Sequence, residues 1–220
     1  MNAAPAKLAL EDGSVFAGQA FGAPPHEIDS LDPRHEPDVG FGEVVFTTGM
    51  SGYHETLTDP SYSGQILCMT YPHAGNYGCD PSWNEAGPEP PEESRAVKAA
   101  GLVVRELYEG PVPAGRISLD DFLVQSGVPG ISGVDTRHLT LHLRDHGVRN
   151  GVIVRASAAG LGRAELDRVI AAIRSFPGMT GRNLLNRVGS REPVVVNRGG
   201  SPRIALLDCG AKARILRELS

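Results

Sequence analysis

Residues 42–78, GEVVFTTGMSGYHETLTDPSYSGQILCMTYPHAGNYG, carry the densest run of unusual residues in the chain. The apolar runs at 43–48 and 65–71 predict two buried strands. Between them, Asp59 and the proline after it favour a turn that places Ser61 on an exposed corner. The hydroxyl and backbone N–H of such a serine can meet a ligand, but the pattern also fits an Asx-type turn that merely connects two strands.

The remaining elements predicted from the sequence are strands and helices in mixed order. Residues 8–18 predict a hairpin around Asp12 and Gly13, because glycine accepts the positive φ of a tight turn. Further strands are predicted at 101–107, 131–134, 151–155 and 194–197, and a strand with its turn at 203–211. Helices are predicted at 92–100, from an N-cap at Ser118 to 125, from Asp135 or Thr136 to 146, and at 163–176. Breaker-rich stretches at 24–40 and 79–93 predict surface loops. Because helices and strands do not alternate strictly, we expect a mixed α/β fold built in layers.

Length and composition limit the classes of protein that this chain can belong to. Its 220 residues suit one large or two small domains, and 40% apolar with 21% charged residues is ordinary for a soluble protein. No apolar run approaches the roughly 18 residues of a membrane span. The N-terminus lacks the features of a signal peptide, so a cytoplasmic location without membrane contact is expected. A net charge of −5 argues against a nucleic-acid surface.

A serine-hydrolase site is one alternative for the corner at Ser61. Asp59 could orient a base, and His54 or His73 could serve as that base, so the residue types of a catalytic triad are present. However, the strained G-x-S-x-G elbow that exposes such a nucleophile is missing. The sequence therefore argues against serine hydrolysis.

Three histidines, His138, His142 and His146, are spaced i, i+4, i+8 on one face of a predicted helix. Histidine pairs with this spacing can bind zinc. A solvated face near a helix C-terminus, where positive charge is favourable, explains the same pattern without a metal. Because the sequence supplies no fourth ligand beside them, we predict no metal site.

The three cysteines are odd in number and irregularly spaced, which fits neither a disulfide framework nor a zinc ribbon. A cysteine nucleophile needs an activated thiol, a base and N–H donors for the oxyanion. Cys68 lies in an apolar strand, and Cys79 lies in a loop with no predicted base beside it. Cys209 follows a predicted strand without a glycine-framed elbow, so we expect a buried structural cysteine there.

Six blocks of sequence, taken in order, point to one known family. They are LEDGSVFAG (10–18), GEVVFTTGMSGYHETLTDPSYSGQI (42–66), TYPHAGNYG (70–78), GISGVDTRHLT (130–140), FPGM (176–179) and LDCGAK (207–212). Together they resemble the small, glutamine-hydrolysing subunit of carbamoyl phosphate synthetase. The loops at 24–40 and 80–92 are more particular to this sequence.

The resemblance implies a chain of two parts. Residues 1–198 would form an N-terminal domain of the swivelling β/β/α type that docks onto the large subunit. Residues 199–202 would be a linker, and 203–220 the beginning of a truncated class I glutamine amidotransferase domain. In the family, that second domain splits L-glutamine with a Cys-His-Glu triad. The ammonia passes through a tunnel to the large subunit, which uses ATP, Mg²⁺ and bicarbonate to make carbamoyl phosphate for pyrimidine and arginine synthesis.

The family's SNGPGDP loop, GICLGHQ elbow and later His and Glu are absent from this sequence, so the resemblance assigns no catalytic residue. We expect a fragment that hydrolyses no glutamine by itself and binds no cofactor. Ser61 of the DPSY motif matches the family's serine that contacts bound glutamine. Residues 203–220 offer too little to bury a core, so we expect them to pack on the first domain or fray.

Two further interpretations remain open from the sequence. One is a non-catalytic docking module that binds the large subunit without any glutaminase domain. The other is a metal-binding protein that uses the three-histidine helix.

Overall fold

The computed structural model describes residues 4–31, 39–87, 96–157, 160–190 and 192–220. The strands are β1 (Pro5–Leu10), β2 (Val15–Gly22), β3 (Phe41–Thr47), β4 (Gln65–Met69), β5 (His73–Ala74), β6 (Gly101–Val103), β7 (Glu106–Leu107), β8 (Pro129–Ser132) and β9 (Arg149–Arg155). The helices are α1 (Tyr53–Thr58), α2 (Leu119–Gln125), α3 (Thr136–His146), α4 (Arg163–Ser175), α5 (Leu185–Val188) and α6 (Ala213–Leu219).

Seven of these strands close into a barrel in the order β1-β2-β8-β6-β4-β3-β9. Strands β3, β4, β6 and β8 pair in parallel, whereas β1 pairs antiparallel with both β2 and β9. The barrel therefore has a parallel half and an antiparallel half. Strands β5 and β7 form a separate two-stranded parallel sheet.

Alternate positions on the barrel strands enter different hydrophobic clusters, as the two-residue period of a strand requires. On β4, Ile66 and Cys68 join a cluster that contains Leu139 and Leu143 of α3. Leu67, between them, joins a second cluster with residues of α1 and α2. A third cluster packs Phe41 and part of β9 against α4. Helices thus cover the barrel on more than one side, and α1 is fixed against the outer face of β4.

Local sequence signals located several elements correctly. Strands β1 and β2 form the expected hairpin, and Gly13 in its turn has φ +94°. Ser118 caps α2 by accepting the Asp121 N–H, and Asp135 caps α3 by accepting the His138 N–H. The mixed α/β class is also confirmed.

Other sequence-based elements were wrong. Residues 194–197 and 203–211 form no strand, and Leu207 is 87% exposed. A strand needs a partner strand, and no strand of the described residues pairs with either stretch. The predicted strand at 101–107 is split into β6 and β7.

The predicted helix at 92–100 is not formed where it can be followed. Residues 96–100 are non-helical, because the Lys98 and Ala100 N–H groups donate to the carbonyls of Leu57 and Gln65 instead. Residues 92–95 lie outside the described residues, as do 32–38 of the first predicted loop and 88–93 of the second. In the described parts of those loops, Ile28–Ser30 forms a 3-10 turn and Cys79 is buried.

Helix α1 was missed from the sequence. Its buried residues are Tyr53, His54, Leu57 and Thr58. This i, i+1, i+4, i+5 pattern is the signal that could have located it. No helix in the described ranges is both long and apolar enough to cross a membrane.

Candidate functional site

The connection from β3 to β4 contains α1 and then a 3-10 turn at Pro60–Tyr62. Gly52, with φ +87°, precedes α1, and the N–H groups of Gly52 and Tyr53 both donate to the hydroxyl of Tyr77, at 2.7 and 2.9 Å. The rings of Tyr53 and Tyr77 stack with their centroids 4.1 Å apart. Because the start of α1 is anchored in this way, the turn that follows the helix has a defined place on the barrel.

Asp59 separates α1 from the 3-10 turn and controls the geometry of the turn. Its Oδ1 accepts the Ser61 N–H at 2.9 Å. Asp59 is buried, whereas Ser61 is exposed. The exposed corner predicted for Ser61 is therefore confirmed, and so is the Asx-type turn that forms it. The contact between Ser61 and glutamine stays a prediction.

The second oxygen of Asp59 binds a residue from the other end of the chain. Lys212 Nζ lies 2.6 Å from Asp59 Oδ2. Burial alone would raise the pKa of Asp59, but hydrogen bonds from Lys212 and Ser61 outweigh it and hold the pKa below its ordinary value. The bond to Asp59 raises the pKa of Lys212 in turn. Both groups are therefore charged at neutral pH.

The C-terminal segment, residues 208–220, is fixed beside this turn at its start. Asp208 accepts the N–H groups of Ser190, Gly210 and Ala211 at 2.7, 2.9 and 2.8 Å. Gly210 has φ +96°, and a Cβ built on it would lie 3.3 Å from Cβ of Pro60. The segment thus lies directly against the turn that carries Ser61.

The loop at residues 85–87 holds the C-terminal segment from the other side. The Ala213 N–H donates to the carbonyl of Glu85 at 2.7 Å, and the Gly87 N–H donates to the carbonyl of Ala211 at 3.1 Å. Of the two outcomes expected for residues 203–220, packing on the first domain therefore holds for 208–213. Residues 203–207 are exposed.

A cleft of about 600 Å³ lies between α1 and α6. Its lining includes the charged residues Glu55, Asp59, Glu85, Lys212, Arg214 and Glu218. The Asp59–Lys212 ion pair thus faces this cleft. Ser61 is not a lining residue, although its neighbours Asp59 and Tyr62 are.

The serine-hydrolase alternative does not assemble in the structure. His54 is buried, and its Nε2–H donates to the Trp83 carbonyl at 2.9 Å, while His73 faces Glu106 at 3.5 Å. Asp59 is engaged by the Ser61 N–H and by Lys212, so it does not orient an imidazole. The three residues that the sequence offered as base and orienter therefore have other partners in this structure.

The cysteines differ in their environments. Cys68 and Cys79 are buried, and burial raises the pKa of each thiol to about 12. Both are therefore protonated at neutral pH and inert as nucleophiles. The expectation of a buried structural cysteine at 209 was wrong, because Cys209 is exposed and follows no strand.

The three histidines of α3 contact residues near the helix, and two of them also contact each other. His142 Nε2 lies 2.7 Å from Asp12 Oδ2, and His146 Nδ1–H donates to the His142 carbonyl at 3.0 Å. The ring of His138 meets Phe16 edge-on. His138 and His146 are exposed, but the side chain of His142 is only 17% exposed. In the part of the chain that the structure describes, no group of three or more His, Cys, Asp or Glu residues could hold a metal ion.

The fold and the site together define a mixed α/β barrel protein in which an exposed serine turn lies against the C-terminal segment. Residues 8–153 match the family described as carbamoyl-phosphate synthase small chain, CPSase domain. The chain belongs to this family, as its sequence blocks indicated.

Curated relatives extend the match over nearly the whole chain. The carbamoyl phosphate synthase small chain of Methanopyrus kandleri is 43% identical over 98% of this chain and 53% of its own length. The small chain of Thioalkalivibrio sulfidiphilus is 40% identical over 100% of this chain and 55% of its own length. The small chain of Symbiobacterium thermophilum is 41% identical over 96% of this chain and 52% of its own length. The chain therefore spans about half the length of the curated relatives it matches.

Among solved structures, a peptidase M28 precursor from Shewanella amazonensis aligns with 67% of this chain and 33% of its own. The TM-score is 0.34 and the identity is 11%. These values are too low to support an argument about fold or function.

His54 generates a prediction about stability and pH. Burial lowers the pKa of His54, so the folded protein binds a proton at this ring less readily than the unfolded chain does. As the pH falls through about 6.5, the unfolded chain binds a proton here that the folded chain does not, and the free energy of unfolding decreases by up to about 1.4 kcal/mol per pH unit. We therefore expect wild-type protein to lose more stability than His54→Gln between pH 7.5 and 5.5, as measured by urea unfolding.

Two features make this measurement specific to His54. Asp59 also has a lowered pKa, but its contribution is lost only below the ordinary value of 3.8, outside this window. His146→Gln changes an exposed histidine and should keep the wild-type pH dependence. Equal losses in wild type and His54→Gln would contradict the assignment.

Proposed function

We propose that this chain is part of the small subunit of a glutamine-dependent carbamoyl phosphate synthetase. In this proposal the small subunit supplies ammonia from glutamine to a large subunit, which makes carbamoyl phosphate with bicarbonate, ATP and Mg²⁺. Family membership over residues 8–153 supports the assignment. The complex is a cytoplasmic carbon–nitrogen ligase that serves pyrimidine synthesis, arginine synthesis or both.

The barrel domain, in this proposal, is the swivelling β/β/α domain expected for the family. Its parallel and antiparallel halves correspond to the two β layers, and the covering helices correspond to the α layer. Residues 203–220 begin an amidotransferase domain. Their exposed apolar residues, such as Leu207 and Ile204, then face that domain instead of water.

The observation that carries the proposal is the geometry of Ser61. Its side chain is exposed, while its backbone is fixed through Asp59 against the C-terminal segment. A short hydroxyl held in this way can hydrogen-bond glutamine without taking part in bond cleavage, which orients the substrate. Ser61 is therefore a binding residue, and no residue of this chain is assigned to the chemical step.

Replacing Ser61 tests the proposed contact with glutamine. One hydrogen bond contributes about 0.5–1.5 kcal/mol, so Ser61→Ala should raise the KM for glutamine roughly 2- to 10-fold with little change in kcat. The measurement is steady-state synthesis of carbamoyl phosphate by the complex of the large subunit with the small chain that carries these residues. Synthesis from added ammonia should be unchanged, because it bypasses glutamine.

Ser51→Ala is the matched control for this experiment. Ser51 is an exposed serine before α1, outside the turn at Asp59. The Ser51→Ala variant should keep the wild-type KM for glutamine and the wild-type kcat. An unchanged KM in Ser61→Ala would exclude Ser61 as a glutamine contact.

The cysteine environments predict how residues 1–220 behave alone. The protonated thiols of Cys68 and Cys79 cannot attack glutamine, and Cys209 Sγ has no hydrogen-bonded histidine among the described residues. We expect this chain to bind the large subunit in a pull-down and to release no ammonia from glutamine. Ammonia release that disappears in Cys209→Ser would identify a nucleophile here and contradict the proposal.

A further inference from the structure

We propose that Lys212 is a positioning residue for Ser61. Lys212 fixes the Asp59 carboxylate, and Asp59 fixes the backbone of Ser61. The direction of the serine hydroxyl therefore depends on the docking of the C-terminal segment. This inference rests on the proposed function of Ser61 as a glutamine contact.

The first step of the argument is that the two carboxylate oxygens of Asp59 bind different partners. Oδ1 accepts the Ser61 N–H at 2.9 Å, and Oδ2 lies 2.6 Å from Lys212 Nζ. A carboxylate with both oxygens engaged on opposite sides cannot rotate about its terminal bond without breaking one contact. The position of the lysine therefore sets the plane in which Asp59 meets Ser61.

The second step is the burial of the pair. The Asp59 side chain is 11% exposed, and that of Lys212 is 45% exposed. A buried carboxylate that loses its cation is left with a desolvation cost and must rotate toward water to recover solvation. That rotation breaks the bond to the Ser61 N–H, so the corner becomes free to sample other orientations.

The third step of the argument concerns the hydrogen bonds that hold the backbone of Lys212 in place. Asp208 holds the N–H groups of Gly210 and Ala211, and the Ala213 N–H donates to the Glu85 carbonyl. Backbone hydrogen bonds on both sides of Lys212 thus fix its Cα. The lysine therefore reaches Asp59 from a fixed backbone position and connects the C-terminal segment to the corner at Ser61.

The experiment is a double-mutant cycle between Lys212 and Ser61 in the complex of the small chain with its large subunit. Lys212→Met keeps the aliphatic stem and removes the charge. We expect it to raise the KM for glutamine by 2-fold or more, up to the effect of Ser61→Ala, with kcat within 2-fold of wild type. Because Lys212 acts through Ser61, the double variant should have the KM of Ser61→Ala alone.

Two further variants separate positioning from a general structural role. Lys212→Arg should restore most of the wild-type KM, because it keeps a cation within reach of Asp59. Arg214→Met removes an exposed cation that pairs with Glu218 on the same helix, and it should change neither constant. If the effects of Lys212→Met and Ser61→Ala multiply, or if Lys212→Met lowers kcat with KM unchanged, the inference fails.

A spectroscopic readout does not depend on activity. The amide resonance of Ser61 should shift as Asp59 titrates, because its N–H is bonded to that carboxylate. Glu55, Glu85 and Glu218 are the other carboxylates that line the cleft, and Glu85 also interacts with Lys212, so Glu85→Gln serves as the control for a neighbouring carboxylate. In Lys212→Met the shift should become smaller, because the bond from the Ser61 N–H to Asp59 is weakened, and its midpoint should move to higher pH. An unmoved midpoint would overturn the inference.

The outcomes also distinguish this inference from the proposed function. If Ser61→Ala leaves the KM unchanged, the proposed glutamine contact fails first. If Ser61→Ala raises the KM and Lys212→Met does not, Ser61 is a glutamine contact and Lys212 is not its positioning residue.

Discussion

One buried carboxylate connects three separate parts of this molecule around the proposed glutamine contact, Ser61. Asp59 joins the end of α1, the turn that carries Ser61 and Lys212 of the C-terminal segment. Burying a charged group is costly unless it is paired and hydrogen-bonded. Asp59 meets this requirement only when the turn and the C-terminal segment are both in place. The exposed corner and the docked C-terminal segment are therefore coupled through the same ion pair.

The barrel provides the frame on which this interaction is built. Strands β3 and β4 are parallel neighbours, so the chain must cross between them, and that crossing contains α1 and the Asp59 turn. The stacked rings of Tyr53 and Tyr77 fix the start of α1, and Leu57 is completely buried near its end. A rigid crossover ending at a defined point suits the role proposed for Ser61, which is a contact with glutamine held by another part of the protein.

The sequence predicted the features that depend on local backbone preferences. The hairpin at Gly13, the cap at Ser118 and the corner at Ser61 each follow from a residue type acting within a few positions of itself. The strands expected at 194–197 and within 203–211 were wrong because a strand requires a partner strand, which local sequence does not supply. The Asp59–Lys212 pair could not be predicted in the same way. The two residues are distant in the chain, and only the fold brings them together.

The most direct test of this account is amide hydrogen exchange of residues 208–213 in wild-type protein and in Asp59→Asn. The account predicts that the N–H groups of Gly210, Ala211 and Ala213 are protected in the wild type. Removing the charge of Asp59 should reduce this protection and leave the amides of β4 and β9 unchanged. Unprotected amides in the wild type, or protection that is unaffected in Asp59→Asn, would contradict the claim that Asp59 holds the C-terminal segment on the barrel domain.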